Sequence, residues 1–196
     1  MRVIAGELGG RRLHAPHGSR TRPTSDRVRE ALFMILGPLD GARIVDLYAG
    51  SGALAIEALS RGAAWADLVD SDRHACDAAR RNLEELGLLE RAKLWRCRLP
   101  GGLSLLADAV READVVFADP PYGGDDLDGL FARLGSLKPA ARLVLETHAK
   151  DVAPAAVGEF VRTDARRYGE TMLHIYMARA AGSTGRDEDH RQEEGS

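Results

Sequence analysis

The chain has 196 residues, 44% hydrophobic and 29% charged, and a formal net charge of −3 at pH 7. That length suits one domain, and that balance suits a chain able to bury a sizeable core. No stretch approaches the ~20 uninterrupted apolar residues of a membrane span, the start has no apolar signal region, and Cys76 and Cys97 make neither a disulfide framework nor a metal cluster, so a cytoplasmic protein is expected.

The average charge hides an asymmetry. Residues 1–29 hold seven arginines against Glu7 and Asp26, whereas the last fifteen residues hold five acids against Arg186 and Arg191. The last fifteen residues lack apolar side chains, and the tail, 181–196, is expected to be disordered. The rest divides into a basic hairpin extension, 1–22, and one domain, 23–180.

In chain order, 2–5 and 11–14 read as two short strands around a glycine turn, and 15–23 as a loop. Thr24 or Ser25 would cap a helix over 27–36, which Gly37-Pro38 stops. Residues 42–47 form a short apolar run suited to a buried parallel strand. A glycine turn then opens a helix over 53–61. Further strands are expected at 66–70, 92–97, 114–118 and 142–146, alternating with helices at 73–86, 103–111 and 127–134. Residues 160–166 and 172–178 read as a closing hairpin. Alternating strands and helices imply an α/β fold with a Rossmann-like parallel sheet, and the hairpin adds an antiparallel strand at one edge.

Asp46-Leu47-Tyr48-Ala49-Gly50-Ser51-Gly52 lies where the first parallel strand hands over to a helix. Glycines there let backbone approach a ligand, and the helix start offers unpaired N–H groups. Asp70, ending the next strand, could accept the two hydroxyls of a ribose. The set Asp46, Ala49, Gly50, Ser51, Gly52 and Asp70 therefore reads as a cofactor site. Gly50-Ser51-Gly52-Ala53-Leu54-Ala55 also fits a loose dinucleotide pattern, so NAD competes. S-adenosylmethionine is favoured because Asp46 stands four residues before Gly50, where it could hold the loop or face a sulfonium, and because of the motif that follows.

That motif is Asp119-Pro120-Pro121-Tyr122, delivered by the apolar strand Val115-Val116-Phe117-Ala118. An exocyclic base amine is a poor nucleophile because its lone pair is delocalised into the ring. Hydrogen bonds from that amine to the Asp119 carboxylate and the Pro120 carbonyl favour a pyramidal nitrogen and offset developing positive charge. The prolines preset the loop. Tyr122 can stack on an extruded base. The four residues are the candidate catalytic set.

With RVIAGELGGRRLHAP, TRPTSDRVREALFMIL, DLYAGSGALAIEALSRGA, LVDSDR and VVFADPPY in place, the chain resembles the bacterial small-subunit rRNA guanine-N2 methyltransferases of the RsmD type over nearly all of its body. The resemblance implies a seven-stranded S-adenosylmethionine-dependent methyltransferase sheet with an N-terminal hairpin. It also implies methyl transfer to N2 of a guanine in 16S rRNA. Such enzymes place a small polar or acidic residue near the adenine after strand three. The stretch Arg96-Cys97-Arg98-Leu99-Pro100 departs from that pattern.

Arg11, Arg12, Arg20, Arg22 and Arg27 are candidate RNA contacts; the last two could equally reach the cofactor carboxylate or form a solvated helix face. Glu146 could face the site, but a structural role is favoured. His14, His17, His74 and His148 lack ligand spacing, so no metal is expected. Cys76 and Cys97 read as packed thiols, and Trp65 and Trp95 as covers of the sheet. The expected partner is 16S rRNA or the small-subunit particle, met by a monomer without membrane contact. Two other functions share these motifs: a DNA adenine-N6 or cytosine-N4 methyltransferase, and an RNA assembly factor that binds S-adenosylmethionine without turnover. The missing target-recognition domain disfavours the first, and the intact Asp119 and Tyr122 disfavour the second.

Overall fold

In the computed structural model, which describes residues 1–16, 26–120, 127–135 and 137–179, one mixed sheet separates two helical layers. The elements are α1 (Asp26–Leu36), β1 (Arg43–Leu47), α2 (Ala53–Ser60), β2 (Trp65–Asp70), α3 (Arg73–Glu85), β3 (Ala92–Arg96), α4 (Ala107–Arg111), β4 (Val115–Ala118), α5 (Leu127–Leu134), β5 (Arg142–His148), β6 (Ala156–Val157), β7 (Phe160–Tyr168) and β8 (Thr171–Ala178). The strand order is β3-β2-β1-β4-β5-β8-β7-β6. The first five run parallel, and the last three are antiparallel to their neighbours.

Period-2 patterning sorts the central strands between two cores. Ile44, Leu68, Val115, Phe117 and Val144 pack with α1, α2 and α3. Val45, Leu47, Val69, Val116 and Leu145 pack with α4 and α5. Strands buried on both sides must be apolar, and β1 and β4 are so except at Asp46 and at Arg43, the exposed first residue of β1. From β1 the chain turns one way to β2, while β4 lies on the other side. Loops leaving β1 and β4 therefore diverge and leave a crevice at the carboxyl ends of the strands.

Three expectations change. The sheet has eight strands rather than seven, because Ala156–Val157 adds a short edge beside β7. The expected helix over 103–111 is a 3₁₀ segment, Gly101–Leu106, followed by the short α4. Residues 2–5 and 11–14 do not form two full strands. They share one bridge, Arg2 to Arg12, because the Ile4 and Ala5 N–H groups donate to the Glu57 carboxylate at 2.7 and 3.0 Å. The arm is nonetheless anchored, since Val3 and Leu13 are buried in the core beside α1 and α2. The Thr24 or Ser25 cap, Arg20, Arg22, Pro121, Tyr122, His17 and the acidic tail lie outside the described residues.

Candidate active site

The turn after β1 is built on positive backbone angles. Tyr48 takes φ of 63°, Gly50 58° and Gly52 78°. For Tyr48, such an angle stores strain of the kind concentrated at functional sites. Gly52 caps the start of α2; its positive φ strains any other residue, and a Cβ there would also stand 2.7 Å from Leu68 Cδ2, so glycine is strongly favoured. A Cβ on Gly50 would meet nothing within 4 Å, so that backbone faces open space where a ligand can approach. Ala49 and Ser51 are buried beneath the turn.

Asp46 is 2% exposed, and its Oδ2 accepts the Ala55 N–H at 3.0 Å. Of the two uses expected for it, this is the backbone-holding one: the side chain ties the end of β1 to the first turn of α2. Burial pushes its carboxyl up to about 7, against the Ala55 hydrogen bond, with the charge of Asp70 adding to the rise. Asp70 ends β2. Its Oδ2 accepts the Gly50 N–H and its Oδ1 the Asp72 N–H, each at 2.8 Å. Each oxygen has a second acceptor position, so two ribose hydroxyls can still be met.

Asp119 follows β4 directly, with its N–H 3.5 Å from the Leu47 carbonyl. Burial holds its carboxyl well above the usual carboxylate range, and the charges of Glu146 and Asp46 push the same way. Ala118 pairs with Leu145 in the register of β4 and β5, which brings Glu146, itself 6% exposed, beside Asp119. The structure thus places Glu146 with the catalytic candidate, where sequence reasoning favoured a structural role. Pro120 is half-buried next to it. Three acids therefore converge at the switch point. Such a group favours a positive charge or an N–H donor and can accept a proton near neutral pH.

Beyond β2, Cys97 N–H donates to the Asp70 carbonyl at 3.0 Å, and Cys76 Sγ approaches the same oxygen at 3.6 Å. Cys76 is buried and Cys97 half-buried, both as free thiols. Trp65 and Trp95 Nε1 both donate to Asp67, at 2.8 and 2.7 Å, which fixes the indoles along the sheet. Among the described residues no group of three His, Cys, Asp or Glu could hold a metal, and no helix is long and apolar enough to cross a membrane.

Arg11, Arg12 and Arg27 are exposed. Arg2 and Arg12 line an open cleft of about 600 Å³ between the arm and the start of α1. Sequence reasoning missed the residues that seat the arm. Besides Glu57, Ser60 Oγ accepts the Leu8 N–H at 3.0 Å. Asn82 accepts the His14 N–H at 2.7 Å and donates to the His14 carbonyl at 3.0 Å. Arg91 pairs with Glu7 at 2.6 Å. One signal was present: Asn82 stands among Ala75, Cys76, Ala78, Ala79 and Leu83 in the buried stripe of α3, and a polar residue there must have partners.

The family model described as conserved hypothetical protein 95 matches residues 1–177. YlbH of Bacillus subtilis (strain 168), provisionally named an rRNA methyltransferase, is 38% identical over 183 residues, covering 91% of this chain and 100% of that one. Ribosomal RNA small subunit methyltransferase D of Escherichia coli (strain K12) is 33% identical over 191 residues, covering 95% and 94%. Among solved structures, yhhF from Escherichia coli, provisionally named a methyltransferase, superposes with a TM-score of 0.78 at 33% identity, covering 92% of this chain and 98% of that one.

Proposed function

The chain belongs to the conserved hypothetical protein 95 family, and from that premise we propose that it transfers a methyl group from S-adenosylmethionine to the exocyclic N2 amine of a guanine in small-subunit (16S) rRNA. The observation that carries the reading is the position of Asp119 at the end of β4, across the switch point from the glycine turn that follows β1. The full-length likeness to one rRNA methyltransferase and to a second protein provisionally named as one supports the substrate class.

The residues present fit the cofactor. Gly50 leaves its backbone open, the first turn of α2 offers N–H groups, and Asp70 keeps acceptor positions for a ribose. When bound, S-adenosylmethionine supplies a methyl group on a positively charged sulfur. Asp119 accepts an N–H of the guanine amine and orients the nitrogen lone pair, while the Pro120 carbonyl takes the second N–H. Methyl transfer would leave the C–S pair on sulfur and a positive charge on the amine, and the Asp119 carboxylate would offset that charge. The same carboxylate then takes the excess proton and passes it to water. Its raised affinity for a proton suits that step. Tyr122 would stack on the extruded base, and Arg11, Arg12, Arg20, Arg22 and Arg27 would meet phosphates.

Radiolabelled S-adenosylmethionine offered to small-subunit particles, naked rRNA and DNA tests the reading, followed by nucleoside mass spectrometry of the labelled product. N2-methylguanosine from small-subunit RNA is the expected product. Methyladenine or methylcytosine from DNA, or binding without any product, would overturn it.

A further inference from the structure

Asn82 touches both parts of the molecule that meet ligands in the reading above. Its side chain is buried, at 1% exposure, three-quarters of the way along α3. Oδ1 accepts the His14 N–H at 2.7 Å. Nδ2 donates to the His14 carbonyl at 3.0 Å and to the Ser51 carbonyl at 2.9 Å. His14 lies two residues after Arg12 in the basic arm, and Ser51 lies between Gly50 and Gly52 in the cofactor turn. A single amide therefore clamps both backbone groups of His14 and the carbonyl of Ser51.

The other arm contacts do not reach the turn. Glu57 and Ser60 hold Ile4, Ala5 and Leu8 from the body of α2. Glu85 meets His14 Nε2 at 2.9 Å and Arg11 Nη2 through its carbonyl at 3.3 Å, both at the exposed end of α3. Only the Asn82 amide joins arm and turn directly among the described hydrogen bonds. If either partner shifts, a buried N–H or C=O is left unpaired, so the interior favours both being in place together.

We infer that Asn82 is a positioning residue that couples the arm to the cofactor turn, so that binding of S-adenosylmethionine and binding of RNA strengthen each other. The inference rests on the proposed function, which assigns the arm to RNA. Linkage makes the effect reciprocal: a ligand that settles the turn settles His14, and RNA held by the arm settles Ser51. Asparagine suits the position because its two ends differ. An aspartate would keep an acceptor for the His14 N–H but would set a second oxygen against two carbonyls.

The test is the ratio of S-adenosylmethionine dissociation constants without and with a saturating small-subunit rRNA fragment. In the parent chain the ratio should exceed about fivefold, the lower end of ordinary coupling. In Asn82→Asp it should fall toward one. Ser60→Ala, which removes an arm contact remote from the turn, should keep the parental ratio. A parental ratio in Asn82→Asp, or a ratio of one in the parent, overturns the coupling and leaves the proposed function standing. A parent that binds the cofactor but no small-subunit RNA overturns the reading of the arm and the coupling with it. Should Asn82→Asp fail to fold, hydrogen exchange in the parent decides: saturating S-adenosylhomocysteine should slow exchange at His14. Protection confined to 46–52 overturns the inference.

Discussion

The backbone N–H of Gly50 donates to Asp70 Oδ2 across 2.8 Å, so the acid proposed to meet a ribose also shapes the turn beside it. The other oxygen accepts the Asp72 N–H at 2.8 Å, and Asp72 in turn caps α3 through the His74 and Ala75 N–H groups. Asp70→Ala therefore removes the two proposed ribose acceptors and loosens the turn together. S-adenosylmethionine affinity should fall about 5- to 150-fold, on the order of 1–3 kcal/mol. Titration calorimetry checks this, and an unchanged affinity would remove Asp70 from the site.

Asp119→Ala takes away the acceptor proposed for the reacting amine but leaves the glycine turn intact. Methyl transfer should drop about 10²- to 10⁴-fold while cofactor affinity stays within a few-fold, as for an interaction stronger in the transition state than in the ground state. Asp119→Asn should keep partial activity if orientation of the amine dominates, and much less if the charge does. Tyr122→Phe should be mild and Tyr122→Ala severe, since stacking is worth roughly 1–3 kcal/mol per base. Single-turnover rates at saturating RNA and cofactor separate these cases.

Asp46 titrates near 7 in the fold against the usual 3.8, because burial disfavours its charge. Between those values the folded chain holds a proton that the unfolded chain has released. Stability without ligand should therefore fall as pH rises through that window and level off above it. Asp46→Asn keeps an acceptor for the Ala55 N–H and carries no charge. Its melting temperature should lie above the parent's at about pH 8, with the two converging as the medium becomes acid. A parent that gains stability from pH 5 to 7 relative to Asp46→Asn would contradict the assignment.

Arg11 and Arg12 are exposed on the arm, and neither side chain contributes to the core. Reversing both to Glu should weaken RNA binding strongly and flatten its salt dependence, because fewer counterions are released. Cofactor affinity measured without RNA should barely change. A filter-binding salt series in which the double variant matches the parent would remove these arginines from the RNA surface.

Much of this was local and therefore legible. The apolar runs of β1, β2, β4 and β5, the glycine turn before α2 and the alternation of strands and helices depend on residues a few positions apart. They predicted the parallel sheet, the crevice and the places of Asp46, Gly50, Gly52, Asp70 and Asp119. The eighth strand escaped because two residues carry no period. The arm misled in an instructive way. Its glycines and alternating residues do suit a hairpin, yet the N–H groups of Ile4 and Ala5 found Glu57, 53 residues away from Ile4, instead of ladder partners.

Sequence by itself thus determined which segments form the central parallel strands, which turn is glycine-built and which acids stand at strand ends, because backbone sterics and side-chain period act over short range. Tertiary structure alone decided that Glu146 lies beside Asp119 and that Asn82, 68 residues from His14, ties the arm to the cofactor turn. Partners of buried polar groups are chosen by which strands become neighbours and which helix faces are covered. Those choices are made only when the whole sheet assembles.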